Sequence, residues 1–405
     1  MAEIPIGGGA LNDKYQAVED VFRQNFADGW EPQGAAFAAY VNGELVVDMW
    51  GGYADYSCGW KWREDTMTTF FSCTKSLTAM CFASLVAGGH LDYADLVSKY
   101  WPEYAQLGKE STTIANVLHH QAGIPYFTNL DGSVTILDID DIKDIKRMEQ
   151  LIEKQKPHHK PGSQSVYHSL TFSWLANGIF RRADPKKRTV GEYFDQEIAR
   201  KHKLDLFIGK TQDKEGRIAR ISRYTEAPRT TMKEIYYQPE IFNISLHRLV
   251  PWAVTNRSMR NFSAIANDYH IHNNPEMRKV EMPSVNAVGT ARSLAKALDL
   301  LTCGEIVSKE FFENNLSAPV LLNEYDGATG AQMSKGHGFL YTKSPRGDWM
   351  IGHSGVGGQN VKSDPKRKIT FAYLTNGLKA GSADKTRTMK QLEFALYECV
   401  RKMEK

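Results

Sequence analysis

The sequence from residue 71 reads Phe71-Ser72-Cys73-Thr74-Lys75. Apolar residues then recur at helical spacing as far as Gly88-Gly89, which supplies a stop, so we expect a helix that begins beside Ser72. Residues three apart on a helix lie on one face, one turn from each other. The pattern therefore places a hydroxyl where the amine of Lys75 can accept its proton.

A serine hydroxyl is a poor nucleophile until a base acts on it, and lysine can be that base only if desolvation or positive charge lowers its pKa. The helix start also offers backbone N–H groups, including that of Ser72, to a developing oxyanion. A Ser-x-x-Lys spacing occurs by chance in most long chains. Its meaning therefore depends on the rest of the sequence.

The bulk composition favours a large globular protein with a small ligand. The chain has 405 residues, of which 42% are apolar, so it can bury a large core in a two-lobed unit or in two domains. Its 50 basic and 47 acidic residues leave a formal charge of only +3. Because no single-sign field would attract nucleic acid or an anionic membrane, we expect a small molecule or a peptide as the ligand.

The sequence shows no targeting or membrane-spanning segment. Residues 1–14 lack the basic and apolar regions of a secretory signal, and no window approaches ~18 apolar residues. The five cysteines are an odd number and include no Cys-x-x-Cys pair. These features predict a soluble protein in a reduced compartment, the cytoplasm.

Strand patterns stand near both ends of the chain. An Asn-Gly pair between the apolar runs 35–40 and 44–50 predicts a hairpin, preceded by a helix at residues 14–26. Near the other end, a helix at 290–302 precedes strand-like runs at 336–342, 349–353, 359–362 and 369–376, and residues 385–403 repeat apolar residues on one helical face. Between them lie helical pieces at 113–119 and 170–181.

This order predicts one α+β unit over residues 1–405, with an antiparallel sheet built from both termini. The sheet lobe would comprise about 1–70 and 285–405, and an all-helical lobe about 71–284. Within it, residues 210–281 show no sustained period. They fit a lid that shapes the ligand site or a solvated insertion, and both interpretations stay open.

Two further polar clusters occur in the chain. The first, Tyr167-His168-Ser169, follows a Pro-Gly turn and precedes an apolar helix. The second, His353-Ser354-Gly355, stands at the end of a predicted strand, directly before Val356.

With the Ser-x-x-Lys step, these clusters resemble the β-lactamase-related superfamily, which has a second polar triplet and a Lys-Thr-Gly-like strand in this order. The chain is most similar to class C-like family VIII carboxylesterases and to animal β-lactamase domain-containing proteins, from about residue 34 to residue 377. The resemblance implies a β-lactamase/transpeptidase-like fold, with N- and C-terminal helices flanking the sheet and a helical lobe inserted. It also implies a serine hydrolase.

The resemblance further implies a role for each matched residue. Ser72 corresponds to the acylated serine, Lys75 to its amine partner, and Tyr167 to the tyrosine that relays the proton. The backbone N–H of Val356 would be the second oxyanion donor beside that of Ser72.

Two departures from the family pattern concern substrate recognition. Ser169 stands where β-lactamases have an asparagine, and His353-Ser354-Gly355 stands where they have Lys-Thr-Gly. The cation that faces a substrate carboxylate thus becomes an imidazole, largely neutral at pH 7. These substrate-binding positions predict an ester or amide without an obligatory carboxylate, and an esterase-like enzyme rather than an efficient β-lactamase.

Other interpretations remain open or fail on the residues. A filament-forming scaffold with vestigial activity, a D-amino-acid-directed peptidase and a homo-oligomer stay open. No cofactor or metal is expected, because Asn274 and Pro275 occupy positions that would complete a zinc motif with His270-Ile271-His272. No Gly-x-Ser-x-Gly occurs, and Cys73 points about 100° away from Ser72 on a helix, against a thiol mechanism.

Overall fold

The computed structural model describes residues 4–223, 227–238, 253–263, 269–381 and 386–404. Its main feature is a ten-stranded antiparallel sheet in the order β1-β3-β2-β13-β12-β11-β10-β9-β8, with β4 paired to β3. Its strands are β1 (Ile6–Ala10), β2 (Gly34–Val41), β3 (Glu44–Asp55), β4 (Trp60–Lys61), β8 (Leu321–Tyr325), β9 (Gln332–Gly336), β10 (Phe339–Lys343), β11 (Trp349–Ser354), β12 (Asn360–Asp364) and β13 (Ile369–Thr375). A small second sheet joins β5 (Thr68–Thr69), β7 (Val288–Gly289) and β6 (Leu206–Phe207).

The α-helices divide between the faces of the sheet and the middle of the chain. They are α1 (Gln16–Ala27), α2 (Thr74–Ala87), α3 (Ile114–Leu118), α4 (Ile139–Lys143), α5 (Ile145–Lys154), α6 (Phe172–Ala183), α7 (Val190–Tyr193), α8 (Pro228–Tyr237), α9 (Val254–Arg260), α10 (Pro275–Lys279), α11 (Ala291–Cys303), α12 (Lys309–Asn315) and α13 (Arg387–Met403). The predicted α+β class, with terminal helices on an antiparallel sheet and an inserted helical lobe, is confirmed. The two-residue strand β6 lies within that otherwise helical lobe.

The predicted hairpin at Asn42-Gly43 is confirmed. Both residues have positive φ, 54° and 81°, and Val41 pairs with Glu44 across the turn. A two-residue turn with both φ values positive matches the twist of its strands, and Asn and Gly adopt it at little cost. The hairpin therefore sets the register of β2 against β3 next to the turn, and a bulge between Ala39 and Tyr40 shifts the pairing beyond it.

The sheet separates two hydrophobic cores. Along β2, Phe37 and Ala39 face α1 and α13, whereas Ala38 and Tyr40 face the core shared with α11 and the helical lobe. This alternation follows the two-residue period of a strand. Helix α2 lies in the second core and is buried on almost every side, so Lys75 is held by packing from all directions.

The sequence prediction differs from the structure at one hairpin. The run predicted as a single strand at 336–342 contains a turn, because His337 and Gly338 both have positive φ, 49° and 90°. Strand β9 thus ends at Gly336 and β10 begins at Phe339. Strands β1 and β8, at the two edges of the sheet, were not predicted.

The segment 210–281 contacts both lobes, and parts of it lie outside the described residues. Helix α8 reaches the sheet lobe, where Lys233 Nζ donates to the carbonyl of Asp28 at 2.7 Å. Helix α9 instead packs near the start of α6, where the rings of Phe262 and Trp174 stack at 5.6 Å. Among the described residues, no helix combines the length and apolar character needed to span a bilayer.

Candidate active site

Ser72 lies in a tight turn, Phe71–Cys73, that leads into α2, and its side chain is partly exposed. The preceding residue, Phe71, has a φ of 46°, which a bulky side chain rarely adopts. Its buried ring packs edge-on against Tyr269 at 5.7 Å and His272 at 5.0 Å. Strained backbone of this kind costs about 1–3 kcal/mol and persists where surrounding contacts impose it.

Lys75 is fully buried one turn further along α2. Its Nζ donates to the backbone carbonyls of Ser169 at 3.1 Å and Ser284 at 2.9 Å. Burial lowers the pKa of this amine well below its usual range, against a smaller opposite effect from Cys73. Burial therefore favours the uncharged amine, the form that can accept a proton.

Tyr167 joins the two groups. An interaction with the Ser72 hydroxyl lowers the pKa of its phenol, and Lys75 Nζ lies 4.7 Å from the centre of its ring. Burial raises the pKa of the phenol, and the charge of Asp326 raises it further, against the hydrogen bond from Ser72. The structure thus brings together Ser72, Lys75 and Tyr167, with the phenol in its protonated form at neutral pH.

The end of strand β11 passes directly beside the serine turn. The Cys73 thiol donates to the carbonyl of His353 at 3.3 Å, so its sulfur is engaged beneath the strand. A Cβ on Gly355 would lie 2.6 Å from the carbonyl oxygen of Phe70. Only glycine permits this approach, which brings the partly exposed Val356 next to the serine turn.

The predicted substrate-binding side chains are less accessible than the motif suggests. His353 is buried, with Nδ1 2.7 Å from the carbonyl of Ser354, and its ring lies 6.2 Å from that of Tyr167. Ser354 is also buried. Ser169 is partly exposed, and its hydroxyl lies 3.3 Å from that of Ser258 on α9.

Several residues around the site were not predicted from the sequence. Ser284 supplies a carbonyl to Lys75 and donates its hydroxyl to the carbonyl of Ser169 at 2.9 Å. Asp326 accepts the N–H of Tyr167 at 3.2 Å and pairs with the buried Lys335 at 2.9 Å. Backbone carbonyls carry no residue-type signal, and Asp326 lies far along the chain from Tyr167, so no local pattern could have found them.

The described residues include no group of three or more His, Cys, Asp or Glu side chains placed to hold a metal ion. Of the histidines in the rejected zinc motif, His272 packs its ring on Phe71. His272 therefore helps to hold Phe71, the residue before Ser72, in its strained backbone conformation.

Several known proteins are similar to this chain in sequence or in structure. The chain is 30% identical over 379 residues to the Esterase/beta-lactamase LipL of Mycobacterium tuberculosis (strain ATCC 25618 / H37Rv), which covers 91% of this chain and 83% of that protein. Among solved structures it is similar to a family VIII carboxylesterase, with 27% identity and a TM-score of 0.81 over 98% of this chain and 100% of the other. It is also similar to a penicillin-binding protein homologue from Caulobacter crescentus, with 29% identity and a TM-score of 0.81 over 98% and 100% of the two chains. The family described as Beta-lactamase matches residues 22–396, and the chain therefore belongs to this family of β-lactamase-fold hydrolases.

Proposed function

We propose that this protein is a serine hydrolase that forms an acyl-enzyme on Ser72 and cleaves an ester or amide of a small molecule or peptide. The observation that carries the proposal is the position of Lys75. It is a fully buried amine with two backbone carbonyls as fixed acceptors, beside a serine that remains partly exposed.

The two carbonyls hold the amine of Lys75 in a fixed orientation in which it can act as a base. A neutral amine has two N–H groups and one lone pair, and both N–H groups have acceptors at Ser169 and Ser284. The lone pair of Nζ can then accept the proton of the Ser72 hydroxyl. As Ser72 Oγ bonds to the substrate carbonyl carbon, its proton passes to Lys75 Nζ.

Tyr167 carries the proton onward. Because its pKa is raised, the phenol is protonated at neutral pH, so it acts as a hydroxyl relay and not as a phenolate base. It gives its proton to the leaving oxygen or nitrogen as the scissile bond breaks, and the proton on Lys75 replaces it. Water then attacks the acyl-enzyme, gives up a proton along the same route, and releases the acid and the free serine.

The developing negative charge requires donors on the substrate side of the serine. We assign these to the N–H of Ser72, at the start of α2, and to the N–H of Val356, after the Gly355 approach. One donor of this kind contributes roughly 3 kcal/mol to transition-state stabilisation.

The substrate side supports an esterase rather than an efficient β-lactamase. The motif position that carries a lysine in β-lactamases holds His353. Its side chain is buried, and its Nδ1 lies 2.7 Å from the backbone carbonyl of Ser354. Ser169 offers a hydroxyl in place of an amide. Two similar proteins, one described as an esterase/β-lactamase and one as a carboxylesterase, support the esterase part of this proposal.

Covalent labelling tests the proposal. The wild-type protein is incubated with a fluorophosphonate, and the modified residue is mapped by mass spectrometry. We expect labelling of Ser72, its loss in Ser72→Ala, and its retention in Ser84→Ala, a matched serine on the same helix. Persistent labelling in Ser72→Ala would show that another nucleophile is responsible.

A substrate panel tests the class of substrate. We expect hydrolysis of p-nitrophenyl butyrate to exceed that of nitrocefin and of a D-Ala-D-Ala peptide, with all activity lost in Ser72→Ala. A preference for the peptide would favour a D-amino-acid-directed peptidase. No turnover and no labelling, together with large particles in light scattering, would favour a scaffold.

A further inference from the structure

His120 holds the backbone on both sides of Tyr167. Its carbonyl accepts the N–H of Val166 at 3.0 Å, and its ring Nδ1 accepts the N–H of His168 at 3.2 Å. The N–H of Tyr167 between them is held by Asp326. Three successive N–H groups thus have fixed acceptors, two of them on one residue.

The ring of His120 also packs against the phenol. Its centre lies 4.4 Å from the ring of Tyr167 and 5.3 Å from that of Phe172. Phe172 in turn lies 5.6 Å from Lys75 Nζ. His120 therefore packs directly against Tyr167 and, through Phe172, borders Lys75, which are the two groups proposed to transfer the proton.

The backbone of His120 is strained in the same sense as that of Phe71. Its φ is 63°, in the left-handed region that non-glycine residues seldom adopt, although histidine occurs there more often than most of them. Such strain is retained where tertiary contacts over-determine a conformation, and it concentrates at functional sites. Here the strain directs both acceptors of His120 toward the Tyr167 segment.

The protonation state of the imidazole agrees with an acceptor role. An Nδ1 that accepts an N–H bears no proton, so a neutral ring carries its hydrogen on Nε2. Burial lowers the pKa of His120 well below its usual range, and the nearby charge of Lys335 lowers it further. The imidazole therefore stays neutral and does not itself act as an acid or base.

We propose that His120 is a positioning residue, which fixes the phenol of Tyr167 for proton transfer by holding the backbone on both sides of it. The proposal rests on the proposed role of Tyr167 in acyl transfer. A displacement of about 1 Å at such a group can lower the rate roughly 100-fold. Binding of substrate, which other elements provide, would change little.

Two substitutions separate the acceptor from the ring. His120→Phe keeps an aromatic ring and removes the acceptor. His120→Asn removes the ring, keeps an oxygen at the place of Nδ1, and tolerates the positive φ. The matched control is His119→Phe, since the adjacent His119 also accepts a backbone N–H with its ring, but from His337 at 2.9 Å.

The readouts are kcat and KM for p-nitrophenyl butyrate, the rate of fluorophosphonate labelling, and the melting temperature. We expect kcat and the labelling rate of His120→Phe to fall roughly 10- to 100-fold with KM nearly unchanged, as for an interaction needed only in the transition state. His120→Asn should recover most of the kcat, and His119→Phe should retain it. If His120→Phe does not fold, His120→Leu, which also lacks an acceptor at the place of Nδ1, replaces it with the same expectation.

Four results would overturn the proposal. Equal losses in His120→Phe and His120→Asn would show that the acceptor is not what matters. A loss in His119→Phe as large as in His120→Phe would show a general packing effect. An unlabelled Ser72 in the wild type would overturn the proposed function as well, whereas a labelled wild type with unaffected His120 variants would overturn this inference alone.

Discussion

Two buried lysines of this protein have almost the same surroundings and different consequences. Lys75 donates to the carbonyls of Ser169 and Ser284 and lies 4.7 Å from the ring of Tyr167. Lys109 donates to the carbonyls of Glu153 and Gln155, at 2.8 and 2.7 Å, and lies 5.4 Å from the ring of Tyr104. Both lysines are fully buried.

The difference lies in what each phenol contacts and in the nearby charges. The phenol of Tyr104 is buried and bonded to Thr112 at 3.4 Å, whereas that of Tyr167 interacts with the partly exposed Ser72. Burial lowers the pKa of Lys109 to about 8, partly offset by the carboxylates of Glu110 and Glu153. Hydrogen bonds to two backbone carbonyls and contact with an aromatic ring can therefore accommodate a buried amine in either place. A catalytic role additionally requires an accessible hydroxyl group beside the amine.

The largest expected effect comes from substituting the two lysines in parallel. Lys75→Met removes the proposed base, and loss of general-base catalysis should lower kcat roughly 10²- to 10⁴-fold. Lys109→Met should leave kcat unchanged, because this amine contacts no reacting group. Steady-state hydrolysis of p-nitrophenyl butyrate measures both. Similar losses in the two variants would contradict the distinction between them.

Substituting His353 should alter substrate preference. His353→Lys restores the cation of the β-lactamase motif, and a hydrogen bond to a charged group contributes about 1.5–3 kcal/mol, or roughly tenfold or more in rate. We expect kcat/KM for a carboxylate-bearing β-lactam to rise by that factor relative to its methyl ester. His353→Gln, which adds no charge, is the control, and an equal gain in that variant would rule out a charge effect.

The stability of the protein should depend on Lys109 in a defined pH range. The folded pKa is about 8 and the unfolded pKa about 10.5, so between these values the unfolded chain binds one proton that the folded chain does not. The free energy of unfolding should therefore gain a contribution that increases as pH rises from 8 to 10.5. Urea unfolding of the wild type and Lys109→Met at pH 8 and pH 10 measures this. A pH dependence that is the same in both proteins would argue against it.

The same variant should be less stable at every pH, because Glu153 and Gln155 lose the donor to their buried carbonyls. An unsatisfied buried group costs about 1–3 kcal/mol. The midpoint of the same unfolding curves reports this loss.

The smallest expected effect is that of Cys73→Ser. A serine hydroxyl can donate to the carbonyl of His353 as the thiol does, so the contact under β11 is preserved. The value of kcat should change by less than about twofold, as for substitutions that break no special feature. A large loss would revive a role for the thiol.

Local patterns predicted much of the fold. The Asn42-Gly43 hairpin follows from residues that favour positive φ, and helix α13 follows from apolar residues on one face. The hairpin at His337-Gly338 was missed because its first residue is not a typical turn former. The edge strand β8 was missed because its exposed and partly buried residues do not alternate.

The sequence alone determined that a hydroxyl and an amine share one face of a helix, because helical spacing depends only on residues three or four apart. The resemblance of the motifs to a known family also predicted that Tyr167 and the end of strand β11 lie beside Ser72 and Lys75. Only the tertiary structure decided that Lys75 is fully buried between two backbone carbonyls, while the similar Lys109 faces no nucleophile. It also decided that His120 and Asp326 hold the segment of Tyr167. Burial and hydrogen bonds between distant segments depend on how the whole chain packs, and no local pattern of residues encodes them.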